Sequence, residues 1–361
     1  RKKASERPRS GPRSEAEMHL KYIHRARGVA IVSIVAMHCL DNLDWSSNHR
    51  LYRFLTELLQ GSTVIFFMIS GYLFQHLSDR FDYTEYLKKK IRNVILPYIV
   101  VSLPGIPLLL SKPYFLEQNP ELIGSSWWQQ VLFLYIYSGS QLNYVLWFVP
   151  VVTIYYLCAP LFIHFLKHPR YFLSLLVLIP VSILAHRTTI QKYHHLQLAL
   201  YFLSAYMTGM WAALYREKVL PFAIRNLAPL SITVLAIVFG HLLLTDHVGS
   251  YVDEIFSDEQ GRIDWIFVQK VLLFFVLIGG LKKLDRLKMP TVDYVASVSF
   301  AIFFLHVYVL YIYSHLMHWH QFPGTLMSIA ALLAFTIACS TGLAYLFRSV
   351  FGRTSRLLIG A

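Results

Sequence analysis

The chain has 361 residues, of which 56% are hydrophobic and 15% charged, and its mean hydropathy is +0.48. This composition excludes an ordinary soluble domain. The net charge of +13 would suit a nucleic-acid partner, but the basic residues form short clusters between apolar runs. Such clusters are typical of the cytoplasmic loops of membrane proteins, so we expect the lipid bilayer, and no nucleic acid, as a partner.

Residues 1–20 are basic and almost devoid of large apolar side chains. They are expected to be a disordered segment or a leftover of cloning. Residues 21–361 are expected to form one transmembrane domain.

The domain contains ten apolar runs of helical length. Crossing a hydrocarbon core of about 30 Å takes about 20 helical residues. A barrel would instead show alternating segments of about ten residues, so the pattern predicts an all-α polytopic bundle of about ten spans. The predicted spans are 26–43, 55–77, 93–111, 144–166, 170–186, 197–215, 222–244, 264–281, 291–313 and 324–347.

The lysines and arginines between these spans are distributed unevenly. Loops on one side, together with the C-terminal tail, carry seventeen. The opposite loops carry six, namely Arg50, Arg53, Lys112, Arg187, Lys192 and Arg262. Because positive charge favours the cytoplasmic side, both termini are predicted to be cytoplasmic in a multi-pass protein of the inner (cytoplasmic) membrane.

Residues 112–143 are the least regular part of the pattern. Trp127 and Trp128 stand beside apolar residues there. Aromatic side chains favour the headgroup level, so this stretch is either an interfacial helix or a re-entrant segment, which would make the span count eleven.

The first span contains Arg27 and His38. Eleven residues at about 100° each bring both side chains to one face, with an axial separation of about 16.5 Å. A histidine in a span usually faces the bundle interior, and its ordinary pKa suits proton abstraction near neutral pH. The spacing alone is equally compatible with a hydrogen-bonded packing histidine and an arginine that anchors the helix at the interface.

Several segments, taken in order, resemble the integral-membrane acyltransferase 3 family. RARGVAIVSIVAMHCLDNL (residues 25–43) resembles its first span, in which ten residues separate an arginine from a histidine. GSTVIFFMISGYLF (61–74), YLKKKIRNVILPYIV (86–100) and LWFVPVVTIYYLCAPLF (146–162) are similar to its next characteristic segments. SVSFAIFFLH (297–306) and SRLLIG (355–360) resemble a late serine-to-histidine span and the tail.

The resemblance implies roles for two groups of residues. His38 would be the general base that deprotonates an acceptor hydroxyl, and Asp41, three positions later, could hold its tautomer or be a solvated carboxylate. Arg27 would bind the phosphates of an acyl-CoA donor. Lys89 and Arg92 match a basic pair of the family, although lysine replaces the usual arginine at the first position, and a solvated inner loop explains them equally well.

Three further residues are candidates for binding. Ser70, beside Gly71, either leaves room for the donor arm or serves helix packing. Trp147 and His306 would bind substrate, but an aromatic belt and a packing histidine are the competing interpretations. The histidines at 194, 195, 315, 318 and 320 lack metal-ligand spacing, so no metal is expected.

The resemblance therefore implies an O-acyltransferase with His38 as base. The expected donor is acetyl-CoA or another acyl-CoA, and the expected acceptor is a hydroxyl of a surface polysaccharide or a lipid-linked glycan. The alternative is a glycan or lipid transporter, a flippase that uses the same intramembrane cavity without covalent chemistry. The oligomeric state stays open.

Overall fold

The computed structural model describes residues 20–111, 114–138, 145–188, 195–245, 249, 251–252, 263–317 and 322–360. Nearly all of them are helical, and the only strands among them form two short parallel pairs. The predicted all-α class is therefore confirmed. The predicted disordered N-terminus, apart from Leu20, lies outside the described residues.

The helices are α1 Lys21–Leu40, α2 His49–Leu59, α3 Ser62–His76, α4 Tyr83–Lys90, α5 Leu96–Ser102, α6 Gly105–Leu110, α7 Tyr114–Gln118, α8 Trp127–Phe133, α9 Phe148–Leu157, α10 Ala159–Lys167, α11 Leu175–Leu184, α12 His195–Leu214, α13 Arg216–Arg225, α14 Leu227–Leu244, α15 Trp265–Lys283, α16 Pro290–Ser297, α17 Ser299–Leu316, α18 Leu326–Phe351 and α19 Ser355–Ile359. π-Helical turns at Ile91–Ile95 and Leu134–Ser138 join α4 to α5 and extend α8. Strand β1 (Leu43–Asp44) pairs with β4 (Phe322–Pro323), and β2 (Arg187–Thr188) pairs with β3 (Tyr251–Val252).

Six helical segments among the described residues are long and apolar enough to cross a membrane, or eight if two bent pairs each count as one span. The bent pairs are α9 with α10, at 56°, and α12 with α13, at 99°. The predicted span 170–186 forms a shorter apolar helix over Pro169–Leu184. The predicted span 93–111 is divided between α5 and α6, in a stretch with prolines at 97, 104 and 107 that cannot donate a helical hydrogen bond. The count of ten and the cytoplasmic termini stay predictions.

The stretch 112–143 contains only short helical pieces in its described part, α7 and α8 with their adjoining turns. Trp127 is 73% exposed and Trp128 is 53% exposed. These large exposed rings fit either of the two predicted arrangements, at the headgroup level or re-entrant.

Helices α3 and α12 are in backbone contact at two glycines. A Cβ atom added to Gly71 would lie 1.9 Å from the carbonyl oxygen of Tyr206. One added to Gly209 would lie 1.9 Å from the carbonyl oxygen of Met68. Small residues permit such an approach between membrane helices, so Gly71 serves helix packing here.

We expect Gly71→Ala to destabilise the protein, because the clashing atom belongs to a backbone that cannot rotate away. Overpacking typically lowers the free energy of unfolding by about 1–3 kcal/mol, and we expect a clash with backbone atoms to cost at least the upper value. The matched control is Gly240→Ala in α14, where an added Cβ meets no atom within 4 Å. Thermal unfolding in detergent measures both. Equal unfolding temperatures for the two variants would show that α3 and α12 are farther apart.

The N-terminal half of α1 is anchored by a buried ion pair. The Arg25 side chain is 0% exposed, and its Nε lies 2.7 Å from Oδ1 of Asp293 in α16. Its other nitrogens donate to Oδ2 of Asp293 and to the carbonyls of Leu284 and Leu287. The hydrogen bonds from Arg25 lower the pKa of Asp293 below its ordinary value. Arg25 therefore fixes α1 against the connection between α15 and α16.

The C-terminal end of α1 is held by a second set of contacts. Trp45 Nε1 donates to the carbonyl of Leu40, and Asn42 Nδ2 donates to the carbonyl of His38. The hydroxyl of Ser314 in α17 donates to Asn42 Oδ1. Because both ends are fixed against α16 and α17, the side chains of α1 keep a defined orientation toward these helices.

Candidate active site

His38 lies in the last turn of α1 and faces His306 in α17. The two ring centroids are 5.5 Å apart. His306 is fully buried, and His38 is half-buried. The two imidazoles form a pair between α1 and α17.

His306 is held in one tautomer by its own helix. Its Nδ1 lies 2.9 Å from the carbonyl oxygen of Ile302, so Nδ1 carries the hydrogen and donates it. Its Nε2 is buried and has no hydrogen-bond partner in the described part of the chain. A buried polar atom without a partner is costly, so this acceptor is available for a hydroxyl group placed beside it.

Arg27 lies about three turns from His38 toward the N-terminal end of α1. One terminal nitrogen, Nη2, donates to the carbonyl of Ala296 in α16 at 2.8 Å and lies 3.3 Å from Nδ1 of His24. Its Nε is buried and finds no hydrogen-bond partner among the residues that the structure describes. Arg27 therefore contacts α16, and His38 contacts α17. These two helices follow each other in the chain, as expected if both residues lie on one face of α1.

Trp147 lies inside the bundle, with 6% of its surface exposed. Its ring stacks on Phe202 at 5.5 Å between centroids. The adjacent Phe148 contacts Phe303, which in turn contacts His306 at 6.3 Å. These aromatic contacts connect Trp147 to the histidine pair, and they place its ring away from the surface where an aromatic belt would lie.

The basic pair Lys89 and Arg92 is exposed, unlike the histidine pair. Lys89 in α4 and Arg92 in the following π-helical turn are both exposed. The neighbouring Lys90 lies over the rings of Tyr86 and Tyr156, and burial lowers its pKa to about 8. π-Helical turns are frequent at functional sites, but the structure does not bring Lys89 or Arg92 into contact with Arg27.

The structure places Ser70 and Asp41 without testing their predicted roles. The Ser70 hydroxyl donates to the carbonyl of Phe66 within α3. Asp41 ends α1 with an exposed side chain and acts electrostatically on Cys39 and Tyr52. The ring of His38 contacts that of His306 at 5.5 Å between centroids. The tautomer-holding role of Asp41 stays a prediction.

Arg187 is the residue that the sequence interpretation missed. The distribution of lysines and arginines predicts an outer-loop cation at this position, but Arg187 is 2% exposed. Its guanidinium carbon lies 4.9 Å from the centre of the Trp147 ring and 5.4 Å from that of Phe202. A single arginine beside a predicted span end carries no signal that distinguishes it from a solvated loop residue.

The part of the chain that the structure describes contains a cavity of about 450 Å³ away from these residues. It lies at the ends of α3 and α12, and none of the predicted site residues lines it. Its walls are formed by Gln75, His76, Asp79, Ala213, Leu214, Tyr215, Arg216, Glu217 and Lys218. Within the same described ranges, no three His, Cys, Asp or Glu residues are grouped so that they could hold a metal ion. Of the outer histidines, those at 194, 318 and 320 lie outside these ranges.

The fold and this pair of a fully buried and a half-buried histidine define a multi-pass helical membrane protein with a polar site between its helices. The sequence profile of the acyltransferase domain family, acyltransferase 3, matches residues 20–345, and the chain belongs to this family. Comparisons with curated proteins and with solved structures give no match. The chain is therefore a membrane acyltransferase.

Proposed function

We propose that this protein is an O-acyltransferase that moves an acyl group, expected to be acetyl, from acyl-CoA to a hydroxyl of a surface polysaccharide or lipid-linked glycan. The proposed setting is the cytoplasmic membrane of a bacterium. The observation that supports this proposal is a pair of buried nitrogens, Arg27 Nε and His306 Nε2, that have no hydrogen-bond partner among the described residues. Both lie on the side of α1 that also presents His38.

The proposed chemistry is direct transfer at His38. One ring nitrogen of His38 takes the proton of the acceptor hydroxyl as its oxygen attacks the thioester carbonyl carbon. The carbonyl becomes a tetrahedral oxyanion, the C–S bond then breaks, and the imidazolium returns its proton to the leaving thiolate. No protein nucleophile is needed. His38 takes one proton from the acceptor and gives one proton to the thiolate, so it ends the reaction in its starting form.

His306 would orient the acceptor in this scheme. Its Nδ1–H is engaged by Ile302, so only Nε2 faces a substrate, and Nε2 accepts a hydrogen bond. A hydroxyl of the acceptor is the matching donor. This gives His306 a binding role beside a base on α1, as the resemblance implied.

The acyl-CoA donor would be held at Arg27, about three turns of α1 away from His38. Arg27 lies about 16.5 Å from His38 along the helix axis, at 1.5 Å per residue. A charged head bound at Arg27 would therefore leave the narrow pantetheine arm to reach the histidines. Lys89 and Arg92, exposed and on the predicted cytoplasmic side, would attract the phosphates before they reach Arg27.

We expect Arg27→Gln to raise the KM for acetyl-CoA by about 10- to 100-fold, the effect of losing about 1.4–2.7 kcal/mol of a charge-assisted contact. The turnover number should change little, because the contact is made in the ground state and the transition state alike. Acetyl-pantetheine, which lacks the nucleotide and its phosphates, should be used equally well by the wild type and the variant.

The control is Lys88→Gln, which removes an exposed cation already paired with Glu85 and should leave the KM unchanged. If Arg27→Gln weakened the use of acetyl-pantetheine as strongly as that of acetyl-CoA, Arg27 would not be the phosphate-binding group.

A further inference from the structure

The cavity of about 450 Å³ lies outside the candidate active site, where two membrane-crossing helices end. One wall is formed by Gln75 and His76 in the last turn of α3 and by Asp79 just beyond it. The other wall is the turn from α12 into α13, residues 213–218. Sites for small ligands typically have volumes of roughly 300–1,000 Å³, so this cavity is large enough to hold one.

The cavity lies at the depth of the lipid headgroups. The apolar spans His49–His76 and His195–Leu214 both end at it, and α13 then leaves α12 at an angle of 99°. A helix at nearly a right angle to a span runs along the membrane surface. Tyr215 in the wall and Trp211, one turn earlier, have ring centroids 5.9 Å apart. Tyrosine and tryptophan favour the membrane–water interface, so the cavity faces the headgroup region.

Both walls of the cavity are held by close helix packing. A Cβ atom added to Gly279 of α15 would lie 2.9 Å from the carbonyl carbon of Ala223 in α13. Val219 and Ala223 of α13 are buried. Helices α3 and α12 are in backbone contact at Gly71 and Gly209, about one turn before the cavity. Walls that are fixed before binding lower the entropic cost of holding a ligand.

The cavity is lined by charges of both signs. Arg216 and Lys218 in the first turn of α13 supply two cations, and Asp79 and Glu217, one on each wall, supply two carboxylates. Within the described ranges, no ion pair and no side-chain hydrogen bond joins any of these four to another residue. Their charges are therefore available to a ligand that itself carries both signs.

A zwitterionic phospholipid headgroup matches this lining. Its phosphodiester carries one negative charge, which a guanidinium can bind through two parallel hydrogen bonds. A primary ammonium group has three N–H donors for carboxylates, whereas the quaternary ammonium of choline has none. The nucleotide of CoA, with its several phosphates, would meet as many carboxylates as cations. The lining therefore favours a headgroup that combines one phosphate with a primary ammonium.

We propose that this cavity is a specific binding site for the headgroup of phosphatidylethanolamine. Its phosphate would contact Arg216 and Lys218, and its ammonium would lie between Asp79 and Glu217. The apolar residues of the wall, Ala213 and Leu214, would contact the glycerol and the first methylenes of the acyl chains. This inference does not rest on the proposed acyl transfer. A lipid bound here holds the ends of α3 and α12 together.

The test is native mass spectrometry of the full-length protein, incubated in detergent with one dioleoyl phospholipid at a time. The three lipids are phosphatidylethanolamine, phosphatidylcholine and phosphatidylglycerol. One molecule of phosphatidylethanolamine should bind per chain. Its Kd should be at least about tenfold lower than that of either other lipid, because only this headgroup forms charge-assisted hydrogen bonds with both signs of the lining.

Two kinds of variant separate the two ends of the headgroup. Arg216→Gln should raise the Kd for phosphatidylethanolamine about tenfold, through the loss of the phosphate contact. Asp79→Asn combined with Glu217→Gln should bring the Kd values of phosphatidylethanolamine and phosphatidylcholine within about twofold of each other, because the amides no longer attract the ammonium. Lys218→Gln changes an exposed side chain and gives a second measurement of the phosphate contact.

The matched control is Arg225→Gln, which removes an exposed cation from the last turn of the same helix, outside the cavity lining. Its Kd values should equal those of the wild type. Equal Kd values for the three lipids, or tightest binding of phosphatidylglycerol, would overturn the proposal. An equal loss of binding in Arg225→Gln and Arg216→Gln would do the same. Displacement of bound phosphatidylethanolamine by acetyl-CoA would also overturn it and assign the cavity to the acyl donor.

Discussion

Replacing His38 with alanine is expected to lower acyl transfer by roughly 10²- to 10⁴-fold, the range that a positioned general base contributes. The unfolding temperature should change little, because the ring of His38 is half-buried and the contacts that hold the end of α1 belong to Asn42 and Trp45. The measurement is the release of free CoA thiol by the purified protein in the presence of the saccharide extract.

The matched control is His168→Ala, which removes an exposed histidine of the connection between α10 and α11. Its rate should equal that of the wild type. Binding of acetyl-CoA to His38→Ala should also be retained, since the donor phosphates are assigned to Arg27. A His38→Ala protein that transfers acetyl at the wild-type rate would remove His38 from the chemistry and favour the transporter alternative.

Replacing Asp293 with asparagine is expected to destabilise the protein by about 3–5 kcal/mol, because it leaves the fully buried Arg25 without its counter-ion. Arg25→Met should cost less, since the carboxylate left behind is 32% exposed and water can reach it. Thermal unfolding in detergent measures both effects. The double variant should be more stable than Asp293→Asn alone, because it contains no uncompensated buried charge.

The ion pair between Arg25 and Asp293 also predicts that the free energy of unfolding depends on pH. Arg25 lowers the pKa of Asp293 in the folded protein, so the stabilisation is fully present above the ordinary carboxyl pKa of about 3.9 and is lost as the pH falls through the lowered value. The difference in the free energy of unfolding between the wild type and Asp293→Asn should therefore vanish in acid. Glu85→Gln, which breaks an exposed pair with Lys88, should cost at most about 1 kcal/mol. Equal losses of stability in Glu85→Gln and Asp293→Asn would contradict the claim that Arg25 and Asp293 form a buried ion pair.

The relation between Arg27 and His38 was predictable because it is local. Helical periodicity alone brings both to one face, and the structure sets them against α16 and α17. The all-α class followed from composition in the same way. The number of membrane spans was harder to predict, because the prolines in an apolar run do not show how the helix is interrupted. One such run bends between α9 and α10, and another is divided into α5 and α6.

The pairing of His38 with His306 and the burial of Arg187 depend on tertiary contacts that no short motif encodes. His306 is 268 positions from His38 along the chain, and only the packing of α1 on α17 sets their rings 5.5 Å apart. Arg187 is buried because β2 pairs with β3 and because Trp147 and Phe202 cover it. A loop arginine and a buried one have the same sequence signature until these partners are known.

The central claim, covalent transfer of an acyl group from CoA at His38, is tested most directly with inverted membrane vesicles supplied with acetyl-CoA labelled in the acetyl group. Vesicles with the wild-type protein should gain label in their saccharide fraction as an ester that mild alkali releases, and vesicles with His38→Ala should gain none. Saccharide that crosses the membrane without acquiring label, or equal labelling by both proteins, would contradict it.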